Sequence, residues 1–400
     1  MTRTLVILGG ADGSLPTYRR ARELGYRTIC VDRRPDALAR PFADEFVRLS
    51  IHDPGPIAHV LDGRADIAGV LSPASDTGLP AQRALIRRWR LPEPPAAAVV
   101  RASGAKSYFR AVCDRLGFAR HGYVAGAADA ELSIRAAALR FPVLVKPLDA
   151  QSSRGIRACT DPSQVAAAAN RAGGHASDGR VIVEELLTGK HYSAEAFVDD
   201  GRIAFVGVSA RTLTPPPHFV TTAHRVPADL DPAALRELTH LLDTLVAELG
   251  YRRGPLTVDL LIDPAGRIHL IEMGARVGGN GLGELIRHAY GVDLIGASIA
   301  AATGRAAQVT RTCARAAVAQ ILFSERAGTI TRVLGADTAI TTPELVELTV
   351  FARPGHPALP YDNAANKLGH FVIAADSPRQ AAAAAERVGN LLRIELSGAA

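Results

Sequence analysis

Phe141-Pro142-Val143-Leu144-Val145-Lys146-Pro147 is an apolar strand that ends in a lysine. Two later stretches belong with it. Val183-Glu184-Glu185-Leu186-Leu187-Thr188-Gly189 is an acidic hinge, and His269-Leu270-Ile271-Glu272-Met273-Gly274-Ala275-Arg276 is a second apolar strand closing on a carboxylate. Between the first two lies a Ser/Gly loop, Gln151-Ser152-Ser153-Arg154-Gly155. A phosphate chain, an adenine edge and a magnesium ion need such groups, and the order of the stretches says more than any one of them.

Working outward, the first hundred residues alternate strand and helix. Leu5–Leu8, Thr28–Asp32 and Ile67–Ser72 read as buried strands and Thr17–Leu24 as a helix, which predicts a parallel sheet covered on both faces. The turn Gly9-Gly10-Ala11-Asp12-Gly13 does not fit GxGxxG, so Asp32 is read as a strand-ending acid rather than a ribose ligand. Ser75-Asp76-Thr77 falls at the carboxyl edge of the sheet, a ligand position by geometry that an N-cap could equally occupy. Leu91-Pro92-Glu93-Pro94-Pro95 marks a boundary. One helix is expected over about Ala102–Leu116, with Lys106 and Arg110 on one face. Hairpins are expected across Asp199-Asp200-Gly201 and across Asp263-Pro264-Ala265-Gly266, and a capping box at Ser377-Pro378-Arg379-Gln380.

Bulk properties narrow the function classes. Four hundred residues with 48% hydrophobic content can build several cores. No apolar run of about 18 residues is present, so neither a membrane span nor a membrane partner is expected. Cys30, Cys113, Cys159 and Cys313 are scattered without CxxC spacing, which points to a reducing cytoplasm. The net charge is +6, but the arginines are spread along the chain and aromatics make up 5%; no nucleic-acid partner is expected.

Lys146 is a point charge suited to phosphate oxygens, as is Lys106. Ser152, Ser153 and Gly155 would let backbone N–H groups approach phosphates closely. Glu184 and Glu185 point to opposite faces of a strand, so only one can face a pocket, and Leu187 can wall an adenine. Counting back from the Asp263–Gly266 turn brings Asp259 opposite Ile271 or Glu272, and two carboxylates that close favour a hard cation. Arg276 can stabilise charge in an acyl-phosphate step or grip a substrate carboxylate. His218, His224 and Arg225 follow the Pro-rich loop as acyl-pocket candidates. Gly279, Asn280 and Glu284, with Ser75 and Asp76, are further substrate candidates. Taken singly, each has an ordinary use as a solvated strand end, surface turn or cap.

Taken in order, the set resembles the ATP-grasp ligase superfamily. Ser324-Glu325-Arg326-Ala327-Gly328-Thr329-Ile330, Asn366-Lys367-Leu368-Gly369-His370-Phe371-Val372-Ile373 and Gly291-Val292-Asp293-Leu294 are similar to its L-amino acid ligase branch. The resemblance implies an α/β ATP-grasp fold. A Rossmann-like domain would cover 1–100 and a two-lobed ATP-clamping core 101–305, its small lobe at about 118–185; an α+β C-terminal domain would cover 306–400. It implies that Lys106 and Lys146 bind the α- and β-phosphates, that Glu184, Glu185 and Leu187 hold adenine, and that His191 stands on the ribose side. Asp259 and Glu272 would hold Mg²⁺, or Mn²⁺. The family usually has Asn two residues after the second metal carboxylate, where this chain has Gly274. The implied activity is a cytoplasmic, homodimeric carboxylate–amine ligase that joins small carboxylate and amine substrates, such as amino acids, through an acyl phosphate. The same ATP site would also serve a carboxylase or formyl-phosphate enzyme of the purine or biotin-carboxylase type, or a non-catalytic nucleotide-binding protein.

Overall fold

A computed structural model describes residues 3–73, 75–118, 121–149 and 153–398. Ser152 lies outside these residues. The N-terminal sheet is all parallel, in the order Glu45–Val47, Arg27–Val31, Thr4–Leu8, Ile67–Leu71. Leu5, Val6, Ile7 and Leu8 are at most 1% exposed. A continuous apolar run is what a strand covered on both faces requires. The covering helices include Leu15–Glu23, Pro54–Leu61 and Leu79–Arg88.

The single helix expected over Ala102–Leu116 is two helices, Ala97–Gly104 and Lys106–Arg115, separated by an extended Ala105. Tertiary bonds override local propensity at the break. The Lys106 N–H turns to the Leu148 carbonyl at 3.3 Å, and the Ser103 hydroxyl accepts the Ala275 N–H at 3.1 Å. Lys106 therefore opens a helix instead of riding on the middle of one.

A small antiparallel sheet follows, ordered Tyr123–Ala127, Arg180–Glu185, Val143–Pro147, Arg157–Cys159. Its apolar face, with Val143, Val145, Val181 and Val183, packs on the helices Ala130–Ala136 and Val165–Gly173.

The largest sheet has eight strands, in the order Ile268–Gly274, Gly254–Ile262, Lys190–Asp199, Arg202–Leu213, Thr221–Val226, Ala316–Leu322, Gly369–Ala375, Leu345–Val350. Both expected hairpins are present, and Asp259 stands directly opposite Glu272. Helix Pro232–Glu248, capped by Asp231, buries Leu238, Leu242 and Leu245 against this sheet. Ala316–Leu322 pairs with Thr221–Val226 on one side and Gly369–Ala375 on the other, so the ladder runs unbroken into the C-terminal part. Ser377 caps the last helix, Pro378–Leu391. No helix among the described residues is long and apolar enough to cross a membrane.

Candidate functional site

A cleft of about 590 Å³ opens where the three large sheets converge. Its walls include Asp12 and Asp76 from turns after N-terminal strands, Lys106, Ser153 of the Ser/Gly loop, Asp259 and Glu272 of the large sheet, and Arg276 just past its edge strand. Because Asp259 and Glu272 are cross-strand partners, their side chains share one face. Asp259 accepts from the Ser193 hydroxyl at 2.6 Å and from Arg211 Nη1 at 2.5 Å. The Glu272 carboxylate is half exposed (51%), with Lys106 Nζ 4.0 Å away.

These two groups fit a magnesium ion by donor chemistry. Mg²⁺ is commonly held by one or two carboxylates plus substrate phosphates rather than by an all-protein cage. No cluster of three or more His, Cys, Asp or Glu with metal-binding geometry occurs among the described residues.

Arg276 donates Nε and Nη2 to the two oxygens of Asp76, at 3.1 and 3.0 Å. Burial lowers the guanidinium pKa, but Asp76 outweighs it and the net shift is upward. The glycine-rich turn beyond it rests on Glu195, which is fully buried and accepts the Thr257 hydroxyl and the Gly278 N–H. Burial outweighs those two bonds and pushes the Glu195 carboxyl up to about 7. Gly279 and Asn280 both line the cleft. Asn280 adopts a left-handed conformation (φ 58°) and accepts from Lys367 Nζ at 2.8 Å; Lys367 also reaches Asp12 at 2.5 Å.

Lys146 and Glu184 do not line this cleft. Lys146 Nζ donates to Glu184 Oε2 at 2.6 Å, while Arg110 and His121 approach the other oxygen at 3.3 and 3.4 Å. Burial raises the Glu184 carboxyl, but Lys146, His121 and Arg110 outweigh it and hold the group well below the usual carboxylate range. Arg110 also donates to the Ile271 carbonyl, the peptide before Glu272. Glu185 points the other way and pairs with Arg140 at 2.9 Å. Leu187 is half-buried just past the strand. The His191 pKa is lowered to about 4, by burial first and Arg211 second.

The remaining candidates divide. Buried His224 lines the cleft and meets the Ser209 hydroxyl at 3.1 Å; burial, then Arg211, lowers its pKa to about 3. Arg225, expected beside it, faces the opposite side of the sheet. Neighbouring strand residues alternate, and Arg225 is exposed with Nη1 on the Thr212 hydroxyl at 2.9 Å. His218 stays in the Pro-rich loop, its N–H on the Pro215 carbonyl, and does not line the cleft. The Ser75 hydroxyl bonds that of Thr77 at 2.6 Å. Glu284 lines a small recess beside Asn280 and pairs with Arg287 at 3.5 Å. Gly155 has φ +70°, and a Cβ there would come within 2.8 Å of the His175 ring.

Sequence reasoning missed Arg211, Glu195, Asp12 and Lys367. Arg211 was within reach of a parity count: Ser193 pairs with both Asp259 and Ser209, and Arg211 lies two residues beyond Ser209 on the same face.

Residues 139–284 match the ATP-grasp domain, and residues 320–397 match the L-amino acid ligase C-terminal domain 2. The uncharacterized protein y4rH of Sinorhizobium fredii is 29% identical over 316 residues, 78% of this chain; the match spans 65% of that relative's length. Among solved structures, the L-amino acid ligase from Bacillus licheniformis superposes with a TM-score of 0.85 at 18% identity, covering 99% of both chains. The phosphoribosylglycinamide synthetase from Anaerococcus prevotii gives 0.77 at 20% identity, covering 99% of this chain and 100% of that one. At those identities the likeness is one of fold. One chain thus carries both a stretch that matches the ATP-grasp domain and a stretch that matches the L-amino acid ligase C-terminal domain 2, on the fold expected for that combination.

Proposed function

We propose that this chain is a carboxylate–amine ligase that joins amino acids, or an amino acid and a small carboxylic acid, through an acyl phosphate. The observation that carries the reading is the Asp259–Glu272 pair, set on one face of a hairpin in the same cleft as Lys106 and Arg276. A carboxylate oxygen of the first substrate takes the γ-phosphoryl group and ADP leaves. The amine nitrogen of the second then attacks the acyl carbon, the carbon–oxygen bond to phosphate breaks, and the amine proton passes to solvent.

No protein nucleophile is needed, so the side chains work by position and charge. Lys106 and Ser153, which line the cleft, and Gly155 of the same loop are assigned to the phosphates. Lys146, Glu184, Leu187 and His191 are assigned to the nucleotide; Glu185, turned toward Arg140, is left on the outer face of the small sheet. Asp259 and Glu272 would hold Mg²⁺, which supplies neutralisation of the phosphate charge. Arg276 is placed to stabilise the acyl phosphate, and Asp76, His224, Gly279 and Asn280 border the space left for the substrates.

The test is to incubate the protein with ATP, Mg²⁺ and pairs of amino acids, then quantify ADP and amide product by mass spectrometry. One ADP per amide is the expected result. ADP release with no coupled product across the panel would overturn it. Turnover that needs bicarbonate or formate would assign carboxy- or formyl-phosphate chemistry instead, and ATP binding without turnover a nucleotide-binding role.

A further inference from the structure

Gly274 ends the strand Ile268–Gly274 two residues after Glu272, and its φ lies outside the left-handed region. Backbone conformation therefore does not require glycine here. Space does. A Cβ at this position would lie 2.6 Å from Asp76 Oδ1 and 3.3 Å from Thr257 Cγ2. The first contact is too close to survive, and the obstructing oxygen cannot simply swing away. It accepts Arg276 Nε while its twin accepts Nη2, and the Asp76 side chain is only 5% exposed.

Asp76 is itself held firmly on the turn that feeds helix Leu79–Arg88. The Ser72 N–H is taken by Gln82 Oε1 at 2.9 Å, and the Ser72 hydroxyl bonds the Ser75 carbonyl at 2.7 Å. The Gly78 N–H returns to that same carbonyl at 3.3 Å. The N-terminal sheet thus presents a carboxylate at a fixed place, through the space left by a missing side chain, to an arginine two hundred residues away.

From this geometry we propose that Asp76 is the positioning residue for Arg276, and that Gly274 is the opening through which it acts. A bidentate carboxylate fixes both the place and the plane of a guanidinium, which a single contact does not. The N-terminal domain then orients the arginine of the ATP site rather than serving only as a wall of the cleft. The catalytic consequence rests on the ligase reading above; the coupling between the two positions does not.

A double-mutant cycle tests it, using Asp76→Ala, Gly274→Ala and the pair, with Asp76→Asn as the gentler variant. Amine-dependent ADP release should show kcat lowered about 100-fold in either single variant, as for loss of one fixed stabilising group. The KM for ATP should stay within about twofold. Asp76→Asn keeps the shape and should recover part of the loss. The double variant should be no worse than the worse single one, because the second change has nothing left to displace. Multiplied effects in kcat, or a KM change with kcat intact, would overturn the proposal. The same cycle on urea unfolding midpoints separates the two readings. A parent protein without amine-dependent turnover sinks the ligase assignment alone, whereas additive midpoints sink the Asp76–Gly274 coupling whatever the reaction.

Discussion

Two lysine–glutamate pairs, one in the small sheet and one reaching the strand Ile268–Gly274, behave in opposite ways. Lys146 and Glu184 touch at 2.6 Å with side chains 11% and 5% exposed, and Arg110 and His121 close the cluster. Lys106 and Glu272 stand 4.0 Å apart, with Glu272 half open to the cleft. Residue types are the same, but surroundings decide their use. Charge buried at contact distance is locked into one geometry, while the Glu272 carboxylate keeps half its surface open to the cleft. Arg110 spans both regions, ion-paired with Glu184 on one side and donating to the Ile271 carbonyl on the other.

Glu184→Ala should break this contrast most severely. It leaves Lys146 and Arg110 buried without their counter-charge, and removing one partner of a buried pair costs about 3–5 kcal/mol. Urea unfolding followed by circular dichroism would register it; a loss no larger than a surface substitution would show that the cluster is not sealed. Glu272→Gln sharpens the comparison from the other side. Its unfolding midpoint should stay near the parent's, while Mg²⁺-dependent turnover drops by about 100-fold. If it destabilises as strongly as Glu184→Ala, the distinction between the regions fails.

Glu195 lies between these extremes, buried like Glu184 but without a cation in contact. Its carboxyl is raised from 4.5 to about 7. Between those values the folded chain keeps a proton that the unfolded chain releases, so this group makes stability fall as pH rises through the window and adds nothing further above it. Glu195→Gln should flatten that part of the stability profile in unfolding measured from pH 4.5 to 7.5; an unchanged slope would remove Glu195 as its source. Arg225→Ala is the smallest expected effect. Facing away from the cleft, it should change neither turnover nor unfolding midpoint, and a tenfold loss of turnover would reverse the orientation of its strand.

Legibility in the sequence followed distance along the chain. The N-terminal sheet and the Asp259–Glu272 register could be read because runs such as Leu5–Leu8 and the turn Asp263–Gly266 carry their own signals. The break at Ala105 could not. Residues 102–116 have helical character throughout, and what interrupts them is a bond from Lys106 to Leu148 across the fold. Likewise nothing near Asp76 in sequence announces Arg276, and nothing near Asp12 announces Lys367. Glu184 illustrates the remaining gap: its strand position was evident, but the three basic side chains around it come from three separate segments. Arg225 was misjudged for a simpler reason, since alternation along its strand already set it apart from His224.

The continuity of the eight-stranded ladder has a practical consequence for rebuilding this protein. Strand Ala316–Leu322 zips onto Thr221–Val226, whose His224 forms part of the cleft floor. The tail is therefore no plug-in module. A chimera that imports a foreign tail without the strand it mates with would leave an unpaired edge beside the site, a template for clumping with other chains. Grafts meant to change substrate choice should carry both strands as one cassette.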